Sequence, residues 1–352
     1  MSHQNDIIDY SNSLIVGNSR GFFEMKRKYI LTILSILTIF FMVSLSGCGK
    51  KAELRFGAGN TGGMYYSYAE NLERIMADKI PLRIRTTTGS AANLRLLQKG
   101  FIDITIVQND NLHDITGSMG EKLNFSAVCG LYTEAIQIVV RADSDIHTIE
   151  DLVGKKVSVG EEDSGTGLNA KELLQIHGLS FEDLNAVRFP LKDAAASLKD
   201  GTIDAFFYTA GAPTQEILNL AKDTSVRLLS VSDEDIRRMK NLYPDCLECV
   251  IPAGTYNGQT EAVHTVGIRA ILLVSNDLDD ETVRLLTETV FQNAAELNTN
   301  VVTEGTYNAS FAVESIEIPF HPGAAAYFKT QGIEVKITDD SGSSPVVGGQ
   351  DE

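Results

Sequence analysis

The amino-acid sequence predicts an α/β fold with two lobes joined by a two-strand hinge. Short apolar and β-branched runs alternate with segments of helical period, which is typical of a mainly parallel sheet covered by helices. Two longer apolar runs, residues 127–141 and 265–275, are long enough to cross from one lobe to the other. The strand–helix pattern starts again after the first of these runs. The 352 residues are enough for two domains.

The predicted lobes are not continuous in sequence, because the second is inserted into the first. Residues 52–140 form the first part of lobe 1, residues 141–255 form lobe 2, and residues 256–338 return to lobe 1. Residues 339–352 are rich in Ser, Gly and acidic side chains and are expected to be disordered.

The elements of lobe 1 follow from periodicity and from helix-stop signals. Ser90 is the expected N-cap of one helix and Gly100 its expected stop. The predicted order is strand 54–56, helix 65–76, strand 82–87, helix 91–99, strand 102–108 and crossing strand 127–141.

Lobe 2 repeats the same kind of pattern before the chain returns. Pro213 is expected in the first turn of a helix, where its missing N–H is tolerated. The remaining predicted elements are strand 156–159, helix 168–176, helix 194–199, strand 203–208, strand 226–231, crossing strand 265–275, helix 281–297 and helix 324–330.

A weak internal echo links the two predicted lobes. Residues 97–104 parallel residues 198–205, and in each segment an aspartate, Asp103 or Asp204, is the third residue after a helix-ending glycine. Two readings stay open, a duplicated lobe or the ordinary junction that any α/β chain makes.

The formal net charge of -17 restricts the partners of the chain. A strongly acidic surface repels nucleic acid, so nucleic-acid binding is discounted. An anionic ligand would have to be held by local donors and dipoles, since the overall field of the protein is unfavourable.

The N-terminal region predicts export and lipid attachment. Residues 25–47 are predicted to be a signal peptide, in which the basic triplet 26–28 precedes an apolar run. The segment Leu45-Ser46-Gly47-Cys48 at its end resembles a lipobox. Cleavage before Cys48 would leave it lipid-modified; a permanent membrane helix is the alternative. Residues 1–24 are expected to be a mis-called extension, and their G-x-S-x-G match at 17–21 lacks the strand that a nucleophile elbow needs.

Four small or polar loops, each between a strand and a helix, are the candidate binding elements. Such loops lie at the carboxyl ends of strands, where backbone N–H groups and helix dipoles bind anions. The loops are residues 59–63, 87–90, 163–167 and 209–213. Residues 57–62 also match a dinucleotide fingerprint, but no acidic residue ends the second strand.

Metal and catalytic motifs are not evident in the sequence. The six histidines are scattered, and Cys246 and Cys249 have C-x-x-C spacing without a second pair. In an exported protein these cysteines are expected to form a local disulfide, to bridge to Cys129 or to remain free thiols, with a redox-active pair and a metal site as the alternatives. No catalytic residue, metal ligand or cofactor is predicted.

Several motifs in order resemble the TAXI family of solute-binding receptors of TRAP transporters, from about residue 54 to 332. The motifs are residues 62–66 (GGMYY), 88–97 (TGSAANLRLL), 106–110 (IVQND), 152–160 (LVGKKVSVG), 164–166 (SGT), 203–207 (IDAFF), 211–213 (GAP) and 321–324 (HPGA). Met64 departs from the smaller residue that the family often has.

The resemblance implies a type II periplasmic-binding-protein fold and a receptor for a small carboxylate, such as a glutamate-like amino acid or a dicarboxylate. A TRAP-type membrane permease would be the partner, and the receptor would be lipid-anchored on the extracytoplasmic side. A sensor lipoprotein for a receptor kinase and an extracytoplasmic enzyme are the alternatives. The candidate ligand-binding residues are Thr61, Gly62, Gly63, Tyr65, Tyr66, Ser90, Asn93, Gln108, Asp110, Ser164, Gly165, Thr166, Asp204, Phe207, Gly211 and Pro213.

Overall fold

The computed structural model describes residues 53–112, 122–297 and 307–337. All of them belong to one compact unit, Glu53–Glu352. The predicted signal peptide 25–47, the predicted lipidation site Cys48, the extension 1–24 and the tail 339–352 lie outside the described residues.

The described strands form one ten-stranded sheet in the order β2-β1-β3-β10-β4-β7-β5-β6, with β8 added to β4 and β9 added to β10. The strands are β1 (Leu54–Gly57), β2 (Leu82–Arg85), β3 (Ile104–Gln108), β4 (Phe125–Arg141), β5 (Lys156–Ser158), β6 (Asn185–Val187), β7 (Ala205–Ala210), β8 (Val226–Leu228), β9 (Cys246–Ile251) and β10 (Val263–Ser275).

Ten α-helices in the described part of the chain connect and cover these strands. They are α1 (Met64–Met76), α2 (Ser90–Gln98), α3 (Gly165–Ile176), α4 (Leu191–Lys199), α5 (Gln215–Asp223), α6 (Asp233–Leu242), α7 (Asp280–Gln292), α8 (Ala294–Leu297), α9 (Ala309–Val313) and α10 (Pro322–Thr330).

The two long strands, β4 and β10, connect the two halves of the sheet, as the sequence predicts. Residues 125–135 of β4 pair antiparallel with β10, while residues 135–140 pair antiparallel with β7. In β10 the end of the strand pairs with β3 and its beginning with β9. On each side of this pair the short strands run parallel, β1 with β2 and β3, and β5 with β6 and β7. The α/β fold class is thereby confirmed.

The buried apolar residues form three clusters. The first draws its buried members from residues 56–132 and 270–328, so two separate stretches of chain share one core. The other two draw theirs from residues 135–268 and include alternate residues of β4 and β7, such as Ile138 and Val139. Because successive side chains of a strand point to opposite faces, these two clusters cover the two faces of the same strands.

The two aspartates of the internal echo, Asp103 and Asp204, have the same structural role. The carboxylate of Asp103 accepts the backbone N–H of Arg55 at 2.7 Å, and Asp204 accepts that of Lys156 at 2.7 Å. In return, the N–H of each aspartate donates to the carbonyl of the same residue, Arg55 or Lys156, at 2.8 Å. Each aspartate thus joins its strand to the amino end of the neighbouring parallel strand, β3 to β1 and β7 to β5.

Several local predictions differ from the structure. Gly89, not Ser90, is the N-cap of α2, and α5 begins at Gln215 after its N-cap Thr214, two residues beyond Pro213. The predicted helix 281–297 is two helices, α7 and α8, that meet at Asn293. The sequence reading also missed α6, whose mean hydropathy is low because three acidic residues open it, and the edge strand β9.

Candidate functional site

A cavity of about 80 Å³ lies at the carboxyl ends of the parallel strands on both sides of the β4–β10 pair. The residues that follow β1, β2, β5 and β6 contribute to its wall, together with the ends of β3 and β7. This is where ligands bind in open α/β sheets. The lining residues are Gly59, Asn60, Thr61, Gly63, Met64, Tyr65, Thr88, Gly89, Ser90, Gln108, Glu134, Gly160, Glu161, Ser164, Gly165, Thr166, Phe189, Leu191, Ala194, Phe207, Tyr208, Thr209 and Ala210.

The first turn of α3 presents backbone N–H groups to this cavity. The side chain of Ser164 caps the helix by accepting the N–H of Gly167 at 3.0 Å. The N–H groups of Gly165 and Thr166 are taken by no acceptor in the part of the chain that the structure describes. Unpaired N–H groups at a helix N-terminus favour an anion.

Gly165 also allows the two sides of the cavity to approach each other. A Cβ atom at this position would overlap the Oε1 atom of Gln108, the last residue of β3. Any residue larger than glycine would therefore displace Gln108 or the start of α3. The reason for glycine at this position is steric, because its backbone angles are ones that other residues also adopt.

Glu134 supplies a buried carboxyl group to the cavity, and the sequence analysis did not single it out. It lies on β4 with 2% of its surface exposed, and its Oε2 accepts the Nε2 of Gln108 at 2.8 Å. Burial raises the pKa of the Glu134 carboxyl to about 8, against the opposing effect of hydrogen bonds with Gln108 and Tyr65. No lysine, arginine or histidine is among the described residues that line the cavity.

Behind Glu134, polar side chains connect β3 with α3. The Nε2 of Gln108 also donates to Asn169 Oδ1 at 3.2 Å, and the amide of Asn169 donates to the carboxylate of Asp110. Asp110 further accepts the backbone N–H and the side-chain amide of Asn111. Burial raises the pKa of Asp110 to about 6, with the nearby Asp245 acting in the same direction. These contacts hold Gln108 in place against Glu134.

Aromatic side chains surround the same carboxyl group. Tyr65 on α1 and Tyr208 on β7 line the cavity, and Tyr132 lies two residues before Glu134 on β4. Burial raises the pKa of each of these three phenols, and the Glu134 carboxylate adds to the shift. The rings of Tyr65 and Tyr208 therefore contribute to the apolar part of the wall, and all three phenols remain uncharged at neutral pH.

Polar contacts cross the mouth of the cavity between the loop regions. The side-chain amide of Asn60 donates to Glu161, and Arg95 forms an ion pair with Asp163. The N–H of Ala92 donates to the carbonyl of Asp163 at 3.4 Å. Asp163 has a φ angle of +63°, a conformation that is uncommon for residues other than glycine. The two sides of the cavity are thus in contact in this structure.

Nine of the sixteen predicted ligand-binding residues line the cavity. They come from all four candidate loops or from the strands beside them, which is the arrangement that the loop pattern predicts. The nine are Thr61, Gly63, Tyr65, Ser90, Gln108, Ser164, Gly165, Thr166 and Phe207.

Besides Ser164 and Gln108, three more candidates have a hydroxyl or amide group engaged in the fold. Ser90 Oγ accepts the N–H of Gln108 at 3.1 Å, and Thr166 Oγ1 accepts the N–H of Thr209 at 3.1 Å. Asn93 is fully buried outside the cavity wall, where its Nδ2 donates to the carbonyl of Ile106 at 3.0 Å.

The other candidates lie near the cavity or away from it. Asp110 is one layer behind the wall, in contact with Asn169. Asp204 is at the amino end of β7, opposite the end that lines the cavity. Gly62, Tyr66, Gly211 and Pro213 are also outside the wall.

The candidate disulfide between Cys246 and Cys249 is absent from the described structure, in which both residues and Cys129 are thiols. Cys246 and Cys249 are three positions apart on β9, so their side chains point to opposite faces of the strand. Cys129 is buried in the first core, where burial raises its pKa to about 12.

The described residues contain no group of three or more His, Cys, Asp or Glu side chains placed to hold a metal ion. Within the same ranges, no helix combines the length and apolar character needed to cross a membrane.

The fold and the cavity define an α/β protein with a polar pocket between two sets of parallel strands. The chain belongs to the NMT1-like family, whose model matches residues 56–332. This match does not confirm the narrower resemblance to the TAXI family, which remains a prediction.

Solved structures with a partly similar backbone have low sequence identity to this protein. The alkanesulfonate-binding protein SsuA from Xanthomonas axonopodis pv. citri bound to MOPS is 18% identical over 72% of this chain and 79% of its own, with a TM-score of 0.43. The periplasmic aliphatic sulphonate binding protein SsuA from Escherichia coli is 17% identical over 79% and 84%, with a TM-score of 0.42. The GluR0 ligand-binding core from Nostoc punctiforme in complex with L-glutamate is 13% identical over 71% and 99%, with a TM-score of 0.44. At these values the likeness does not bear on the ligand.

Proposed function

We propose that this protein is an extracytoplasmic receptor that binds a small carboxylate and delivers it to a transporter in the membrane. The observation that carries the proposal is a polar cavity whose wall comes from both sides of the β4–β10 pair. The predicted lobes, 52–140 with 256–338 and 141–255, would close on the solute by bending these two strands. In this proposal the protein binds its solute without changing it chemically.

The first turn of α3 is the proposed carboxylate site. The N–H groups of Gly165 and Thr166 are available to a ligand, and the dipole of this twelve-residue helix favours negative charge at the same end. The described residues of the cavity wall include no cationic side chain, so neutral donors would hold the carboxylate, as the acidic composition of the chain predicts.

The partner and the membrane attachment form the finer part of the proposal. The motifs that resemble the TAXI family point to a TRAP-type permease as the recipient of the solute. Lipid on Cys48 would keep the receptor at the outer face of the cell membrane. Replacing Cys48 with alanine is expected to abolish lipid labelling in cells, and unchanged labelling would contradict the anchor.

A thermal-shift screen of the purified full-length protein tests the receptor function. The panel contains amino acids, dicarboxylates, 2-oxo acids, sugars and divalent cations. A solute present at 100 times its dissociation constant should add about 2.7 kcal/mol to the free energy of unfolding. Stabilisation by sugars or cations, without any by carboxylates, would contradict the proposed ligand class.

The variant Gly165→Ala locates the site. Its added methyl group would overlap Gln108 Oε1, so either Gln108 or the start of α3 must shift. Either shift changes the cavity beside the proposed carboxylate site, so binding should weaken. Circular dichroism of the ligand-free variant shows whether it is folded. A folded Gly165→Ala protein that binds as tightly as the wild type would place the carboxylate elsewhere.

A further inference from the structure

Glu134 is a buried carboxyl group for which the part of the chain that the structure describes supplies no cation. It lies in the cavity wall with 2% of its surface exposed, and the described residues of that wall include no lysine, arginine or histidine. A buried carboxylate without a cationic partner is unfavourable, so such a group either stays protonated or receives a cation from outside. The cavity is the place from which a cation can reach it.

The position of Glu134 relative to α3 matches a ligand that carries both charges. Gln108 donates to Glu134 from its Nε2 atom, and its Oε1 atom occupies the place that a Cβ on Gly165 would take. A single amide side chain therefore separates the carboxyl group from the helix N-terminus. An α-amino acid carries an ammonium and a carboxylate at a comparably short separation.

The groups around Glu134 favour a cation over a second anion. Asp110, from the turn after β3, raises the pKa of Glu134 through its charge, and Glu161 lies in the same cavity wall. The other titratable neighbours are the phenols of Tyr65, Tyr132 and Tyr208. Tyrosine rings beside a carboxylate can also contact an ammonium group through their faces.

We propose that Glu134 is the subsite for the ammonium group of an α-amino acid, and that it releases a proton when this ligand binds. The inference rests on the proposed receptor function and selects amino acids over dicarboxylates and 2-oxo acids. The carboxyl proton of Glu134 passes to solvent or buffer, and the resulting carboxylate pairs with the ligand ammonium. The ligand carboxylate binds the N–H groups of Gly165 and Thr166.

Whether binding releases or takes up a proton depends on the protonation of Glu134 in the ligand-free protein. With a pKa of about 8, Glu134 holds a proton at pH 7 in roughly nine molecules of ten. An ammonium beside the carboxyl lowers this pKa, so binding at pH 7 should release about 0.9 proton. Affinity for the amino acid should rise about tenfold from pH 6 to pH 7, because a tenfold larger fraction is then ionised.

Titration calorimetry of the purified full-length protein tests the inference. The probes are L-glutamate with 2-oxoglutarate, L-leucine with 4-methyl-2-oxopentanoate, and succinate, each measured in two buffers of different ionisation enthalpy. Proton release with an amino acid and weaker binding of its 2-oxo counterpart are expected. Proton uptake, or tighter binding of the 2-oxo acid or of succinate, overturns the ammonium subsite while the receptor function stands. Binding of none of the probes overturns both.

The variant Glu134→Gln assigns the effect to this residue. It should weaken the bound amino acid at least about 30-fold and abolish proton release. The matched control is Glu172→Gln, which removes a buried carboxyl group from α3 outside the cavity wall. The control should keep both the affinity and the proton release. Equal losses in the two variants would overturn the assignment.

The unfolding of the ligand-free proteins shows that Glu134→Gln is folded and checks the titration independently. The pKa of Glu134 is raised on folding, so the folded state binds more protons, and stability falls as pH rises from about 5 to 8. Glu134→Gln should remove much of this fall. A variant that unfolds with the pH dependence of the wild type would show that Glu134 does not titrate in this range.

Discussion

The hydroxyl of Thr166 accepts a hydrogen bond from the backbone N–H of Thr209, and the residue is 7% exposed. This contact joins the first turn of α3 to the carboxyl end of β7, at the rim of the cavity. A hydroxyl in this position has a structural role even if a ligand also contacts it. Ser164 is in the same situation, because its hydroxyl caps α3.

Replacing Thr166 with alanine should therefore lower stability as well as affinity. The N–H of Thr209 would be left without its acceptor in a buried place, which costs about 1–3 kcal/mol. Thr166→Ser is the matched control, since it keeps the hydroxyl and should recover most of that stability. Urea unfolding of the ligand-free proteins measures the difference. A Thr166→Ala protein of unchanged stability and reduced affinity would show that the hydroxyl serves the ligand alone.

At the scale of secondary structure, α10 is held against the start of α7 by its first residues. His321 is the N-cap of α10, where Nδ1 accepts the N–H of Gly323 at 3.2 Å and Nε2 lies 3.0 Å from the carbonyl of Leu278. Because Nδ1 accepts a hydrogen bond, it carries no proton and the imidazole is neutral. Burial also lowers the pKa of His321, which favours this neutral form. A Cβ atom on Gly323 would overlap the carbonyl of Asp280. The two helices can approach this closely only with glycine at the contact.

We expect Gly323→Ala to destabilise the protein by about 2 kcal/mol or more, because α10 must move away from a buried contact. The control is Ala326→Gly, on the exposed side of the same helix, which changes helix propensity by about 1 kcal/mol without a steric effect. Urea unfolding gives both values. A smaller loss for Gly323→Ala than for Ala326→Gly would contradict the close packing of the two helices.

At the scale of the whole molecule, the cavity is enclosed by contacts between loops that belong to different parts of the chain. The ion pair between Arg95 and Asp163 joins α2 to the loop before α3, and both side chains are about half exposed. Exposed ion pairs contribute little, so in the proposed receptor closure would depend mainly on the ligand.

Arg95→Ala should weaken solute binding by at most about fivefold, with stability almost unchanged, because an exposed pair is worth roughly 0–1 kcal/mol. The effect should shrink further at high salt. A double-mutant cycle with Asp163→Ala, measured by calorimetry on the solute found in the screen, isolates the pair. A coupling well above 1 kcal/mol would mean that this pair controls closure.

The sequence by itself determined the local features of this protein. Hydrophobic periodicity and glycine stops gave the α/β class, and the long apolar runs gave the crossing strands, because these signals arise within a few neighbouring residues. The loops 59–63 and 163–167 were also predictable, since strand–loop–helix junctions place N–H groups at one edge of any such sheet.

Only the tertiary structure decided which side chains share the cavity and which serve the fold. Glu134 stands inside the apolar strand β4, and its importance follows from being buried beside Gln108, 26 positions away. Asn93 and Asp204 have ligand-like chemistry, but packing gives them backbone partners outside the cavity. The physical reason is that burial and charge compensation depend on which distant residues meet, and neighbouring residues in the sequence do not specify that.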